Sequence, residues 1–320
     1  MATIIRSSSS LFHSVKHACS NNILRRNMVV QSALEGRKTD LVIFDKNGTL
    51  IDFDSAWTPW VIDLNRSISS NLGKPLGDTV FKALGFDVIG RSWKIGKIMG
   101  SEDQMKESLI KSLVKNKIKE EDAVSVVEES FVLCDFTNPD YIKPIDHPRA
   151  MMQTLKDYGV KVAIATTDNR IGTEMVIDNL DLWPMLDASI CCGEDQGTLP
   201  KPDPVNIEII CKTVGVSAER TVVIGDTTGD IKMGQQAGCQ MSVGVLCGVG
   251  KKPELEAVKP NLIVPSTVDV LPFLLPDGFL HVFSKHVTNL SPTSSAYAQA
   301  WHAQQPHNIN RTFQTSSSNP

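Results

Sequence analysis

The sequence predicts an α/β fold: a parallel sheet covered on both faces by helices, interrupted after its first strand by a helical insertion. Two observations carry this expectation. Short apolar runs alternate with helix-patterned segments over the second half of the chain, the mark of strand–helix–strand units. A stretch of about ninety residues behind the first run has no convincing strand and carries apolar groups at helical spacing.

Taken in order, strands are expected at 41–44, 160–165, 188–192, 221–224, 241–245 and 262–264. Asp203 and Pro204 read as an N-cap followed by a first-turn proline, with Gly215 just past that helix's end. Gly238 ends the helix that begins near Asp230 in the same way. In the insertion, Met105, Leu109, Ile110 and Leu113 share a helical face. Trp57 and Trp60 are expected in the core of this helical cap, on its hinge side. The organisation expected is a leader at 1–39, a core at 40–53 and 148–276, a cap at 54–147 and a disordered tail at 277–320.

The chain has 320 residues and a formal net charge of −4, but its charge is unevenly placed. Residues 1–34 hold Arg6, Lys16, Arg25 and Arg26 and no acid, and residues 285–320 hold only Lys285 and Arg311. The body between them carries all 36 acids, for a net charge of −10. Such a body is unsuited to general nucleic-acid binding. No run of eighteen apolar residues is present to cross a membrane. The acid-free leader has the composition of a mitochondrial transit peptide, so the mitochondrial matrix is the expected location; a start at Met28 would leave the protein cytoplasmic. His13 and His17 in that leader have helical ligand spacing and read as ordinary tail residues. The seven cysteines form no CxxC pair and read as small buried hydrophobes in a reducing compartment.

Four segments carry the chemistry. Strand 41–44 runs into Asp45-Lys-Asn47-Gly48-Thr49, delivering a carboxylate to the sheet end where ligands bind in open parallel sheets. The second strand ends in Thr166-Thr167-Asp168-Asn169, whose hydroxyls and backbone N–H groups suit a phosphate oxygen or a helix cap equally. Lys201 sits between prolines in Gly-Thr-Leu-Pro-Lys-Pro-Asp-Pro, a compact point charge suited to an anion. Gly225-Asp226-Thr-Thr-Gly229-Asp230 places two carboxylates four apart, a hard-oxygen pair for Mg²⁺ or a helix N-cap.

In this order the four segments resemble the haloacid dehalogenase superfamily. The runs FDKNGTLIDFDSAW, GTLPKPDP, GDTTGDIKMGQQAG and GVLCGVG look most like its phosphoglycolate-phosphatase-like branch, over about residues 40–275. The resemblance implies a doubly wound parallel-sheet core with an inserted helical cap. It also implies an Mg²⁺-dependent phosphatase of a small phosphorylated metabolite, with Asp45 as the nucleophile that becomes an aspartyl-phosphate. Thr166, with Thr167, would bind the phosphoryl group, and Lys201 would neutralise it and orient Asp45. Asp45, Asp226 and the backbone carbonyl of Asn47 would ligate Mg²⁺, with Asp230 in support.

Position 47 departs from the pattern. The family places there an aspartate that protonates the leaving oxygen and then activates water, and a carboxamide does neither. Losing a positioned acid/base costs about 10²–10⁴-fold in rate. The alternative reading is a catalytically impaired relative that binds a phosphometabolite or a protein. A metal-free dehalogenase would have little use for the acids at 226 and 230. In the cap, Arg91, Lys94 and Lys97 form a basic cluster; solvated helix charges are the plainer account, a clamp for a substrate carboxylate the sharper one.

Overall fold

A computed structural model describes residues 38–94, 102–131, 139–275 and 279–288. The leader with its paired histidines and Met28, the cap residue Lys97 and the tail beyond residue 288 lie outside the described residues.

The first strand, β1 (Leu41–Phe44), is apolar throughout and fully buried, as a strand covered on both faces requires. The chain then enters the cap with α1 (Phe53–Asn71), α2 (Thr79–Leu84), the two-residue strands β2 (Phe86–Asp87) and β3 (Ser92–Trp93), α3 (Glu102–Lys115) and α4 (Glu120–Ser130). It returns through α5 (Pro148–Asp157), β4 (Lys161–Thr166), α6 (Arg170–Asn179), β5 (Ala188–Cys191), α7 (Val205–Val214), β6 (Thr221–Gly225) and α8 (Thr228–Gln236). It closes with β7 (Met241–Val245), α9 (Lys252–Ala257), β8 (Leu262–Val264), α10 (Leu271–Leu274) and α11 (Phe279–Thr288).

The six long strands form one parallel sheet in the order β5-β4-β1-β6-β7-β8. Side chains alternate between its two faces as the pleat demands. Val42, Phe44, Val162, Ile164, Val222 and Ile224 share one core, and Leu41, Ile43, Ala163, Ala165 and Val223 lie in the other. Register matters for function. Phe44 lies opposite both Ile164 and Ile224, so the chain beyond Phe44 emerges between the ends of β4 and β6.

The cap has its own aromatic core. Trp57 packs edge-on against Trp60 with ring centroids 5.2 Å apart, and Phe53 stacks on Trp57 at 5.7 Å. Two linkers join cap to core side by side: Asp52 N–H donates to the Lys143 carbonyl at 2.8 Å, and Ile145 N–H to the Leu50 carbonyl at 2.9 Å.

Three expectations need correction. The insertion is not wholly helical, because β2 and β3 form an antiparallel hairpin; its two-residue strands are too short for a periodicity signal. The disordered tail does not begin at 277, because α11 buries Phe279, Phe283 and Val287 in the core that also holds Met151 and Leu155 of α5. Its i, i+4, i+8 spacing is the signal that a boundary drawn at the polar tail passed over. Pro204 precedes α7 as its N-cap rather than its first helical residue, while Asp203 still accepts from Val205 N–H at 2.9 Å. Among the described residues no helix is long and apolar enough to cross a membrane.

Candidate active site

Four loops meet where the register brings the ends of β1, β4 and β6 together. Asp45 follows β1, Thr166 ends β4, Asp226 follows β6, and Asp230 stands in the first turn of α8. Lys201 arrives from the loop before α7. Its ammonium bridges Asp45 Oδ1 at 2.6 Å and Asp230 Oδ1 at 2.7 Å, with all three side chains buried. The other oxygen of Asp230 accepts from Thr227 N–H at 3.0 Å and from the Thr227 hydroxyl at 2.6 Å. Asp230 therefore caps α8 and braces Lys201 at once.

Asp226 is fully buried. Its Oδ2 accepts from Val249 N–H at 2.7 Å, and its Oδ1 has no hydrogen-bond partner. Leaving such an oxygen bare in the interior is costly. One oxygen each from Asp45, Asp226 and Asp230 lie within 4.8 Å of one another. Backbone crowds this cluster: a Cβ on Gly48 would stand 2.5 Å from Asp226 Oδ2, and one on Gly248 only 2.1 Å. Gly48 also has φ +80°, a left-handed conformation that favours glycine.

Electrostatics follow from burial. Desolvation pushes Asp45 up to about 6; Lys201 pulls it down and the Asp230 charge pushes it up. Asp226 is held well above the carboxylate range, by burial first and then by the charges of Asp45 and Asp230. For Lys201, burial alone would lower the value, but Asp230 and Asp45 outweigh it and hold the ammonium charged. A hard dication fits this donor set, since it would neutralise the acids and occupy the bare oxygen of Asp226.

Thr166 is buried and its hydroxyl accepts from Asp168 N–H at 3.2 Å; Thr167 beside it is half-buried. Asn169 caps α6, accepting from Gly172 N–H at 2.6 Å. Asn47 is buried next to the nucleophile position and its side-chain N–H donates to Asp168 Oδ2 at 3.1 Å. Arg91 stands apart from this cluster, exposed on the cap hairpin.

Two features escaped sequence reasoning. Asp168 accepts the fully buried Lys46 ammonium at 2.5 Å as well as the Asn47 amide. Nothing in a single sequence pairs residues 122 positions apart. The loop at 248–250 supplies the Val249 N–H and the close glycines around Asp226; the run GVLCGVG carries family resemblance in the sequence, but its place against Asp226 is visible only in the fold.

The family model of haloacid dehalogenase-like hydrolases matches residues 39–238. A phosphoglycolate phosphatase of Neisseria meningitidis is 26% identical over 243 residues, covering 73% of this chain and 93% of the relative. The "Probable phosphatase IndB" of Dickeya dadantii is 31% identical over 117 residues, 37% of this chain and half of that relative's length. A haloacid dehalogenase-like hydrolase from Streptococcus pneumoniae superposes with a TM-score of 0.52 at 18% identity, covering 74% of this chain and 99% of that one. The family model spans more than half of the chain, and the chain belongs to the haloacid dehalogenase-like hydrolase family, on the phosphoglycolate-phosphatase-like branch.

Proposed function

We propose that the protein is an Mg²⁺-dependent phosphatase of a small phosphorylated metabolite, working through an aspartyl-phosphate on Asp45 and slowed by Asn47. The carrying observation is the buried chain Asp45–Lys201–Asp230 beside an Asp226 oxygen that no protein donor satisfies. Mg²⁺ held by Asp45, Asp226 and the Asn47 carbonyl would supply the positive charge that lets a carboxylate meet a phosphate. The relatives' activity on phosphoglycolate supports a small anionic substrate.

In this reading a carboxylate oxygen of Asp45 attacks phosphorus and the bond to the leaving oxygen breaks. Lys201 fixes Asp45 by its Oδ1 and offsets charge gathering on the phosphoryl oxygens, while Thr166 donates its hydroxyl to one of them. The leaving alkoxide needs a proton, and the Asn47 amide has none to give. Water must then open the acyl phosphate without a base at position 47, returning Asp45 as carboxylate and releasing phosphate. Hydrolysis of a panel of phosphorylated metabolites, with and without Mg²⁺, tests the reading: metal-dependent turnover that vanishes in Asp45→Asn supports it. Turnover that survives Asp45→Asn or ignores the metal refutes it.

The runner-up, a binding protein with little turnover, draws on one observation: the Asn47 amide is committed as a donor to Asp168. Binding of a phosphate mimic with Mg²⁺, combined with no turnover of any tested phosphate, would favour it.

A further inference from the structure

The aromatic core of the cap continues into the α/β core. Ile51, in the linker between β1 and the cap, and Val249, in the loop after β7, are buried in the same apolar cluster as Phe53, Trp57 and Trp93. Val249 is only 7% exposed, although the loop that carries it belongs to the sheet domain.

Both residues hold backbone that closes on Asp226. The Ile51 carbonyl accepts from Gly48 N–H at 2.7 Å, and Gly48 lies so near that a Cβ there would stand 2.5 Å from Asp226 Oδ2. Val249 N–H donates to that same oxygen at 2.7 Å. Asp226 Oδ1 has no hydrogen-bond partner, so among the described residues this one N–H orients the carboxylate. Glycines flank Val249 on either side, and a Cβ on Gly248 or Gly250 would collide with Asp226. Val249 is thus seated on Asp226 by its backbone and in the cap by its side chain. Interiors are close-packed, so a change in the packing of that side chain is passed to the backbone it hangs from. On the cap side the packing is well defined, with Phe53 edge-on to Trp93 at a centroid distance of 5.6 Å and both rings buried.

We infer that Val249 is a positioning residue for the metal centre, and that the aromatic packing of the cap, by seating Val249, sets how tightly Asp226 holds Mg²⁺. The inference rests on the metal site of the proposed function. It adds a dependence of that site on side chains that touch neither metal nor phosphate. The cap then contributes to the metal centre from behind, through Asp226, as well as standing beside it.

Mg²⁺ binding to the full chain, measured by calorimetry without substrate, tests this beside denaturant unfolding of each variant. Val249→Ala keeps the N–H and removes the methyl groups that pack in the cap. It is expected to bind Mg²⁺ about tenfold more weakly, the lower end of the effect of loosening a group that orients a ligating carboxylate. Phe53→Leu, which alters the cap side of the same cluster, should weaken binding too. In the double variant the two losses should not multiply in full, because they act through one contact. Val214→Ala is the control for lost packing alone. It removes the same methyl groups from the other core, where the end of α7 meets the start of β4 at the far end of the sheet. It should lose stability and keep wild-type Mg²⁺ affinity. A Val249→Ala protein that is less stable yet binds Mg²⁺ as wild type does overturns the positioning role and leaves the metal site standing, as does an equal loss of affinity in Val214→Ala. Should Val249→Ala fail to fold, unchanged affinity in Phe53→Leu overturns the role by itself, and weakened affinity upholds it. If wild type binds no Mg²⁺, the metal site of the proposed function falls and this role with it.

Discussion

The side-chain amide of Asn47 donates to Asp168 Oδ2 at 3.1 Å, and the same oxygen takes the buried Lys46 ammonium at 2.5 Å. Asn47 Oδ1 is buried without a partner. The carboxamide is therefore pinned by its nitrogen, at the position where the family carries an acid. Asn47→Asp would set a second carboxyl against Asp168, and a like charge at that range favours holding a proton. That suits an acid that must protonate a leaving group near neutrality. Asn47→Asp is expected to raise hydrolysis of an alkyl phosphate by at least about tenfold, the conservative end of a general-acid contribution. The gain should be smaller on an aryl phosphate, whose leaving group scarcely needs the proton. Steady-state rates on both substrate types decide it, and a variant no faster than wild type on alkyl phosphates refutes the missing-acid account.

The acids of the cluster make stability depend on pH and on metal. Asp45 sits at about 6 and Asp226 is raised too, so the folded protein binds protons that the unfolded chain has released. Where the folded state holds more protons, stability falls as pH rises. For the metal-free protein the loss should begin in the ordinary carboxylate range near pH 4 and continue through about pH 6 as Asp45 ionises, with the raised Asp226 adding to it as that group ionises in turn. Mg²⁺ competes with those protons, so the rise in melting temperature on adding it should grow between pH 5 and pH 7.5. Asp226→Asn should abolish that rise and make the metal-free protein more stable near pH 7.5. A metal-induced shift that is the same at both pH values would contradict this account.

Lys201 bridges two buried carboxylates and offsets the charge of both. Removing one member of a buried ion pair leaves uncompensated charge and costs about 3–5 kcal/mol. Lys201→Met is expected to lose stability on that scale at pH 7.5 and less at pH 5, where Asp45 takes up a proton. Denaturant unfolding at the two pH values measures it. Equal losses at both would mean that lost packing, rather than lost charge, dominates.

The leader makes a separate expectation, on composition alone. Residues 1–40 fused to a reporter should reach mitochondria, and replacing Arg25 and Arg26 should weaken delivery. A diffuse cytosolic signal from the intact leader would dispose of it.

Much of this architecture is legible in the sequence because it rests on local signals. The six strands of the sheet are short, mainly apolar runs, and Gly215 and Gly238 mark helix ends with φ of +69° and +70°. Asp45, Thr166 and Asp226 share a place because each stands at the end of one of three adjacent parallel strands. What the sequence hides is contact across the sheet end. The Asp168–Lys46 pair depends on two loops meeting in space, and Arg91's separation from the acids depends on how a hairpin with two-residue strands folds. The core extends further than composition suggests at α11, where only three residues, Phe279, Phe283 and Val287, are buried and a long polar sequence follows.

The loop after β7 yields the most local test. Gly248 contributes no side chain, yet a Cβ there would stand 2.1 Å from Asp226 Oδ2 and 2.4 Å from its Cγ, closer than any packed atoms settle. Asp226 cannot swing clear easily, because it is fully buried and held by Val249 N–H at 2.7 Å. In Gly248→Ala the loop must retreat and draw that N–H away from the carboxylate. Overpacking of this kind costs about 1–3 kcal/mol. Disturbing the groups that orient a ligating carboxylate typically costs 10–100-fold in metal affinity. Gly248→Ala is thus expected to bind Mg²⁺ at least about tenfold more weakly while every acid of the cluster remains in place. Its metal-induced rise in melting temperature should approach that of Asp226→Asn. Circular dichroism matching wild type would show that the loss is local. Unchanged Mg²⁺ affinity in a folded Gly248→Ala would mean that the Val249 loop does not position Asp226 for metal.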